Sequence, residues 1–323
     1  MRLAVPLCLL LACCRSSDKK SEDHNENAPG GVFHSLDRSG SQGFRGGQLA
    51  VGGGWVYWVD QPRIDKNGLG KSTLERERAD GGEVQTVAGP ADIFSIAADG
   101  DNVYWSDKRA IWSLPHAGGE PLKVTGGAVW LEVVPGKTHL FLRSSTRMAM
   151  VPKAGGPEEV VWQGRRSTHH VVADGERFLV VEESSERAAE PTGTLTAYRP
   201  GAPPEVLVQG GPTTGALDVD GDTIYVSGGR HTTPPLWRVP AAGGTPEQVG
   251  NPAWGFGEFV VAKGALYGMV FTNTWKLQKL PLDGRAPTVI DDLKGYSAMV
   301  TALAADDHHV YFLTDFEVKR VPL

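Results

Sequence analysis

One unit recurs seven times along this chain, and that recurrence restricts the fold more than any other feature of the sequence. The unit is clearest over residues 96–124. A small apolar run is followed by Asp99-Gly100, then Val103-Tyr104-Trp105-Ser106-Asp107, then Ile111-Trp112-Ser113-Leu114-Pro115, Gly118-Gly119 and a last apolar run. It returns over residues 217–249 with Asp220-Gly221, Ile224-Tyr225-Val226, Leu236-Trp237-Arg238-Val239-Pro240 and Gly243-Gly244. A period of about 40 residues holding several short strands marks a radial array of small sheets, a β-propeller. The predicted fold class is all-β: a propeller of seven four-stranded blades, with six as the alternative count.

Registered on the Tyr-Trp position, the seven units align at Tyr57, Tyr104, Phe141, Leu179, Tyr225, Tyr267 and Tyr311. The small and β-branched runs before most of them are read as innermost strands, suited to the crowded axis. Asp99-Gly100, Asp174-Gly175 and Asp220-Gly221 are predicted to fill the two central positions of hairpin loops, where positive φ is wanted at both. The third strands end at Pro115, Pro152, Pro240, Pro281 and Pro322, where proline costs no ladder bond, and Gly-Gly then turns the chain outward. The seventh unit stops at Leu323 without a fourth strand. Residues 31–36, which contain Val32-Phe33, are predicted to supply it by pairing with residues 317–321, closing the ring and protecting an open edge.

Tyr104-Trp105-Ser106-Asp107, and Leu282-Asp283-Gly284 after a Leu-Pro strand end, resemble the YWTD repeat family and its bacterial secreted relatives. Tyr57-Trp58-Val59-Asp60 and Phe312-Leu313-Thr314-Asp315 are looser copies. The resemblance covers nearly all of residues 32–323 but rests on blade-building residues. It implies a propeller and a binding role. The best-known members have six blades, so a count of seven departs from that family towards NHL-like bacterial propellers.

The N-terminus reads as a sorting signal. Arg2 is the positive region and residues 5–11 the apolar one, far too short to span a bilayer. Leu10-Leu11-Ala12-Cys13 resembles a bacterial lipobox, and the resemblance implies removal of residues 1–12, acylation of Cys13 and a membrane anchor. Cys14 is the rival site, but it would put a cysteine rather than a small residue before the cut. Residues 13–30 then form a polar tether that buries too little to offset its chain entropy, and residues 31–323 form the propeller. All three cysteines, Cys8, Cys13 and Cys14, lie in or beside the leader, so the propeller can hold no disulfide or thiolate metal site. Its size suffices without one, since a domain approaching 300 residues buries about three quarters of its unfolded surface. The formal net charge of −6, with both signs interspersed, offers no basic stripe for nucleic acid.

Several motifs are weighed and set aside. Gly68-Leu69-Gly70-Lys71-Ser72-Thr73 resembles a phosphate loop, but Asp65 stands where that pattern needs glycine, and no helix follows. Asp218-Val219-Asp220-Gly221-Asp222 resembles a calcium loop, yet its glycine falls one residue early and the repeat register makes Asp220-Gly221 a hairpin turn. The pairs His169-His170 and His308-His309 point to opposite faces of their strands, which is poor geometry for chelation. No nucleophile elbow or His-Glu-x-x-His pattern is present. The acidic run over residues 182–190, with Arg187 inside it, reads as a solvated excursion.

The functional expectation is therefore geometric. One face of a propeller collects the loops between blades and those between second and third strands, and ligands usually sit there over the channel. On that face the register places Trp130, Arg165, Arg166, His169, His231, Trp254, Phe256, Trp275 and Tyr296, with the loop over residues 61–72. Trp254-Gly255-Phe256 stands out because aromatic rings in an inter-blade loop are not needed to build a blade. The expected protein is a monomeric, lipid-anchored extracytoplasmic module, in the outer membrane. It binds a protein, peptide or cell-wall polymer, with no cofactor and no catalytic residue. Two alternatives are a lactonase- or lyase-type propeller enzyme, with His169 or His170 and Glu258 as metal ligands, and an outer-membrane assembly factor.

Overall fold

A computed structural model describes residues 31–35, 49–60, 72–164, 168–183, 193–211, 216–228, 235–250, 258–271, 275–292, 302–314 and 317–323. These residues form seven four-stranded antiparallel sheets, six of them with their strands in sequence order from the axis outward. The innermost strands are Leu49–Gly52, Ser95–Ala98, Glu132–Pro135, Thr168–Asp174, Leu217–Asp220, Phe259–Ala262 and Ala302–Ala305, and they neighbour one another around a closed ring. The count of seven stands. The last blade takes its outermost strand from the N-terminus: Gly31–Ser35 pairs antiparallel with Glu317–Pro322, Gly31 opposite Arg320 and Ser35 opposite Glu317.

The Tyr-Trp repeat is explained by how the blades pack. Both faces of each blade lie against a neighbour, so second strands are buried without alternation: Val56, Tyr57, Trp58 and Val59 are each at most 1% exposed. Tyr57 packs with Ile96, Val103 and Trp105 of the next blade, whereas Trp58 packs with Ala302, Tyr311 and Leu313 of the preceding one. The same division holds for Tyr104 and Trp105 one blade on. The apolar interior is accordingly divided into seven clusters, one on each seam. Adjacent side chains on a strand point to opposite faces, so two consecutive large residues fill two seams at once.

The hairpins correct one expectation. Aspartate does not occupy a central loop position. Asp174 pairs with Arg177 and Asp220 with Thr223, leaving Gly175-Glu176 and Gly221-Asp222 as the loops. Only the glycine has positive φ, 63° and 55°, the type II′ pattern. At Asp99 and Asp306 no positive φ is needed. Asp99 Oδ1 accepts the amides of Asp101 and Asn102, both at 2.8 Å, and Asp306 Oδ1 accepts those of His308 and His309, both at 2.7 Å. The carboxylate thus closes the turn itself, and from the position just after the innermost strand it also reaches the tyrosine five residues on. The distances are 2.9 Å from Tyr104 and 3.1 Å from Tyr311.

The outermost strands carry a feature absent from the sequence reading. Six of them slip register against the third strand: those at Gln85–Ala91, Leu122–Gly126, Glu159–Gln163, Glu205–Gly211, Thr288–Asp292 and Gly31–Ser35. The seventh, Glu247–Gln248, is only two residues long. A bulge sharpens the local twist and a very short strand offers little to pair with, so both protect an exposed edge from pairing with another chain. The extra residues at five of these slips are Val87, Val124, Val161, Leu207 and Ile290, and each joins a seam cluster.

Candidate functional site

The face that collects hairpin turns and the Gly-Gly turns is devoted to holding blades together. His116 follows the third strand of blade 2 and reaches back to blade 1. Its Nδ1 lies 2.7 Å from the Tyr57 hydroxyl and its Nε2 lies 2.9 Å from the carbonyl oxygen of Asp99. A carbonyl only accepts, so Nε2 carries the proton and Nδ1 accepts from Tyr57. Burial raises the Tyr57 hydroxyl pKa, against the pull of Arg76, which keeps it a donor. Lys153 makes the equivalent reach from blade 3 to blade 2, with Nζ 2.6 Å from Asp99 Oδ2. Burial alone would raise the Asp99 carboxyl, but Lys153, two amides and Tyr104 together hold it below the ordinary value. Arg76, Arg177 and Arg320 each donate to a backbone carbonyl of the following blade, those of His116, Ala241 and Ala79.

On the opposite face, Trp130 is fully buried in the seam of blades 2 and 3, packed with Tyr104, Val133 and Leu140 beneath the Arg147 guanidinium. Its ring pads two blades and is not presented to a partner. The exposed apolar residues of that loop are its neighbours, Val129 and Leu131. Arg143 pairs with Glu132 at 2.5 Å and Arg147 with Glu158 at 2.6 Å. His169 belongs to the strand Thr168–Asp174 and Trp275 to the strand Trp275–Pro281. Cys13, Arg165, Arg166, His231, Trp254, Phe256, Tyr296 and residues 61–71 lie outside the described residues.

Near the axis, two polar groupings gather at blades 4 to 6. His170 Nε2 of blade 4 lies 3.6 Å from Glu258 Oε1 at the start of the blade 6 innermost strand. One step deeper, Asp218 of blade 5 accepts the amides of Val219 at 2.8 Å and of Val261, on blade 6, at 2.6 Å. His170 and Glu258 are the pair named as candidate ligands from the sequence, and the fold does bring them together. Among the described residues, however, no group of three or more His, Cys, Asp or Glu is placed to hold a metal. Asp218 was missed. Its signal was available, since the register puts Asp218 where the other six units carry Ala50, Ala97, Val134, Val172, Val260 and Ala304.

These features define a seven-bladed β-propeller in which a set of polar side chains ties neighbouring blades across their seams. No family model matches the chain, and neither does any curated protein. Solved structures do match. The propeller domain of the Trilobed protease from Pyrococcus furiosus, described as having an open velcro topology, aligns with TM-score 0.64 at 14% identity, over 85% of this chain and 94% of that one. A chain of the mitotic checkpoint complex aligns with TM-score 0.67 at 12% identity, over 99% and 100%. BamB from Moraxella catarrhalis aligns with TM-score 0.54 at 12% identity, over 86% and 85%. Likeness at these identities establishes the propeller fold alone.

Proposed function

We propose that this propeller is a binding and scaffold module for a protein, peptide or cell-wall polymer, held outside the cytoplasm by a lipid on Cys13. One observation carries the binding reading. The described side chains best suited to chemistry, His116, Asp99, Lys153, Asp218 and the His170–Glu258 pair, each bridge one blade to another. Groups committed to seams are not free to act on a substrate. The face formed by inter-blade loops and by connections between second and third strands is where the surplus aromatic and basic residues fall in the sequence. Propellers of this shape occur within assemblies, as in the mitotic checkpoint complex. The anchor rests on the lipobox resemblance, and the polar stretch after Cys13 supplies the reach a tethered domain needs.

The test is crosslinking in intact cells, followed by identification of the captured molecule and repetition with a Trp254→Ala/Phe256→Ala double variant. Aromatic residues at interfaces carry individual losses of about 2 kcal/mol or more. The expected result is weaker capture with an unchanged far-UV spectrum. If the double variant unfolds, or captures its partner as the parent does, the two rings pack the channel mouth and are not the binding surface.

A further inference from the structure

We propose that Asp220-Gly221, at the tip of the blade 5 hairpin, is the modification site at which this protein converts aspartate to isoaspartate. Five Asp-Gly pairs occur in the chain: Asp80-Gly81, Asp99-Gly100, Asp174-Gly175, Asp220-Gly221 and Asp283-Gly284. In such a pair the glycine amide nitrogen can attack the aspartate Cγ. A C–N bond forms, a Cγ–O bond breaks, and the carboxyl's hydroxyl leaves as water with the amide proton. The cyclic imide then takes up one water and opens at either carbonyl. One opening restores aspartate. The other routes the main chain through the side-chain carbon, giving isoaspartate. No oxidant, reductant or cofactor is consumed. Glycine favours the attack because no Cβ shields the nitrogen.

Space does not separate the five pairs, since no atom lies within 4 Å of the Cβ position at any of the five glycines. What separates them is whether the reacting groups are already committed. Asp99 Oδ1 accepts the amides of Asp101 and Asn102, and its Oδ2 accepts from Tyr104 and Lys153. Asp174 Oδ2 accepts from Nε and Nη2 of Arg177. Asp283 accepts from the Arg285 guanidinium on both oxygens, at 3.0 and 2.9 Å, and from the Arg285 amide at 3.2 Å. At Asp80 the carboxylate meets Arg78 Nε at 3.4 Å, and the attacking group is itself engaged, with the Gly81 amide donating to the Arg78 carbonyl at 2.8 Å. At Asp220-Gly221 neither half is held: among the described residues the carboxylate has no hydrogen bond or ion pair and the glycine amide no acceptor. Asp220, Gly221 and Asp222 are all exposed. The rearrangement adds one carbon to the main chain beside the two-residue loop that sets the Asp220–Thr223 register. It does so in the blade whose outermost strand is the shortest, Glu247–Gln248.

The experiment is prolonged incubation of the full chain at mildly acidic pH, followed by peptide mapping with electron-transfer fragmentation, which distinguishes isoaspartate from aspartate. Native protein, the same protein in denaturant and an Arg285→Gln variant are followed in parallel. In native protein, isoaspartate should build up at Asp220 about ten-fold or more faster than at Asp99 and Asp174, the scale of freeing a part-buried carboxylate from a charged partner. The excess over Asp80 and Asp283, whose arginine contacts are exposed, should be about three-fold or more. In denaturant these contacts are gone, so the differences among the five sites should collapse. Arg285→Gln removes the guanidinium that holds Asp283, and isoaspartate at Asp283 should then rise towards the Asp220 rate while Asp220 itself is unchanged. Even accumulation over the five sites in native protein, or a lead at any site other than Asp220, overturns the proposal. A denatured chain that keeps the native order also overturns it, because the residues flanking glycine and not the fold would then select the site. So does an unchanged Asp283 rate in Arg285→Gln.

Discussion

At the scale of single residues, the departures from the repeat are as informative as the repeat. Where units 2 and 7 place aspartate at the hairpin, unit 1 has Gly52, and the structure shows why. A Cβ on Gly52 would lie 2.3 Å from the carbonyl oxygen of Asp99, and one on Gly53 would lie 2.0 Å from His116 Cδ2. Without an aspartate partner in its own turn, Tyr57 takes His116 from the next blade instead. Unit 3 has Gly136 and correspondingly Phe141, which needs no acceptor. In unit 6 Ala262 leaves the Tyr267 hydroxyl with no hydrogen-bond partner among the described residues. Gly53→Ala should therefore be costly on two counts: its φ of 57° and the displacement of a bonded histidine. We expect a loss of about 2–4 kcal/mol in denaturant titration, against about 1 kcal/mol for Gly81→Ala. Gly81 also has positive φ, 99°, but nothing lies within 4 Å of its Cβ position. Similar losses for the two variants would mean that His116 is not wedged against the turn. Asp99 gives the molecule a pH signature at the acid end. Its carboxyl is held below the ordinary value, so its contribution is present above about pH 4 and disappears as pH falls through the lower folded value. Asp99→Asn should flatten the acid limb of the melting curve; an acid limb identical to the parent's would assign that loss to other carboxylates.

At the scale of elements, the outermost strands decide whether the ring stays soluble and closed. Each presents one unpaired edge. The bulges, and the two-residue strand of blade 5, answer the risk that such edges recruit another chain. The last blade is the exception in origin, because its outermost strand comes from the far end of the sequence. Removing residues 15–29 should leave the melting temperature within about 1 °C, since that stretch is polar and outside the paired strand. Removing residues through Leu36 uncovers Glu317–Pro322 and should lower melting by about 5 °C or more. Equal melting of the two truncations would show that the seam of blades 7 and 1, packed through Trp58, Tyr311 and Leu313, closes the ring without help.

For the whole molecule, the seven seams make stability a property of neighbouring pairs. No blade buries its second strand alone, since Tyr57 and Tyr104 depend on the blade after them and Trp58 and Trp105 on the blade before. Loss of one blade should therefore unfold its neighbours together, seen as a single cooperative transition and not as stepwise melting. The attachment prediction also belongs at this scale. Cys13→Ser should release the protein from membranes or block its processing. If that variant fractionates and migrates like the parent while Cys14→Ser shifts, the modified cysteine is Cys14.

Blade number, the succession of strands, the proline strand ends and the positions of the Gly-Gly turns were legible in the sequence, because each follows from local patterning repeated seven times. The closing strand could also be read there, from a unit one strand short. What could not be read depends on groups far apart in the chain. The bulges arise because an outer strand must both twist its edge away and direct an apolar residue into a seam, which no local pattern records. Trp130 read as a surface ring because a loop tryptophan looks superfluous until the neighbouring blade is seen to enclose it. Asp218 read as part of a turn motif. Its actual work, accepting an amide from a strand 43 residues away, exists only once blades 5 and 6 stand side by side.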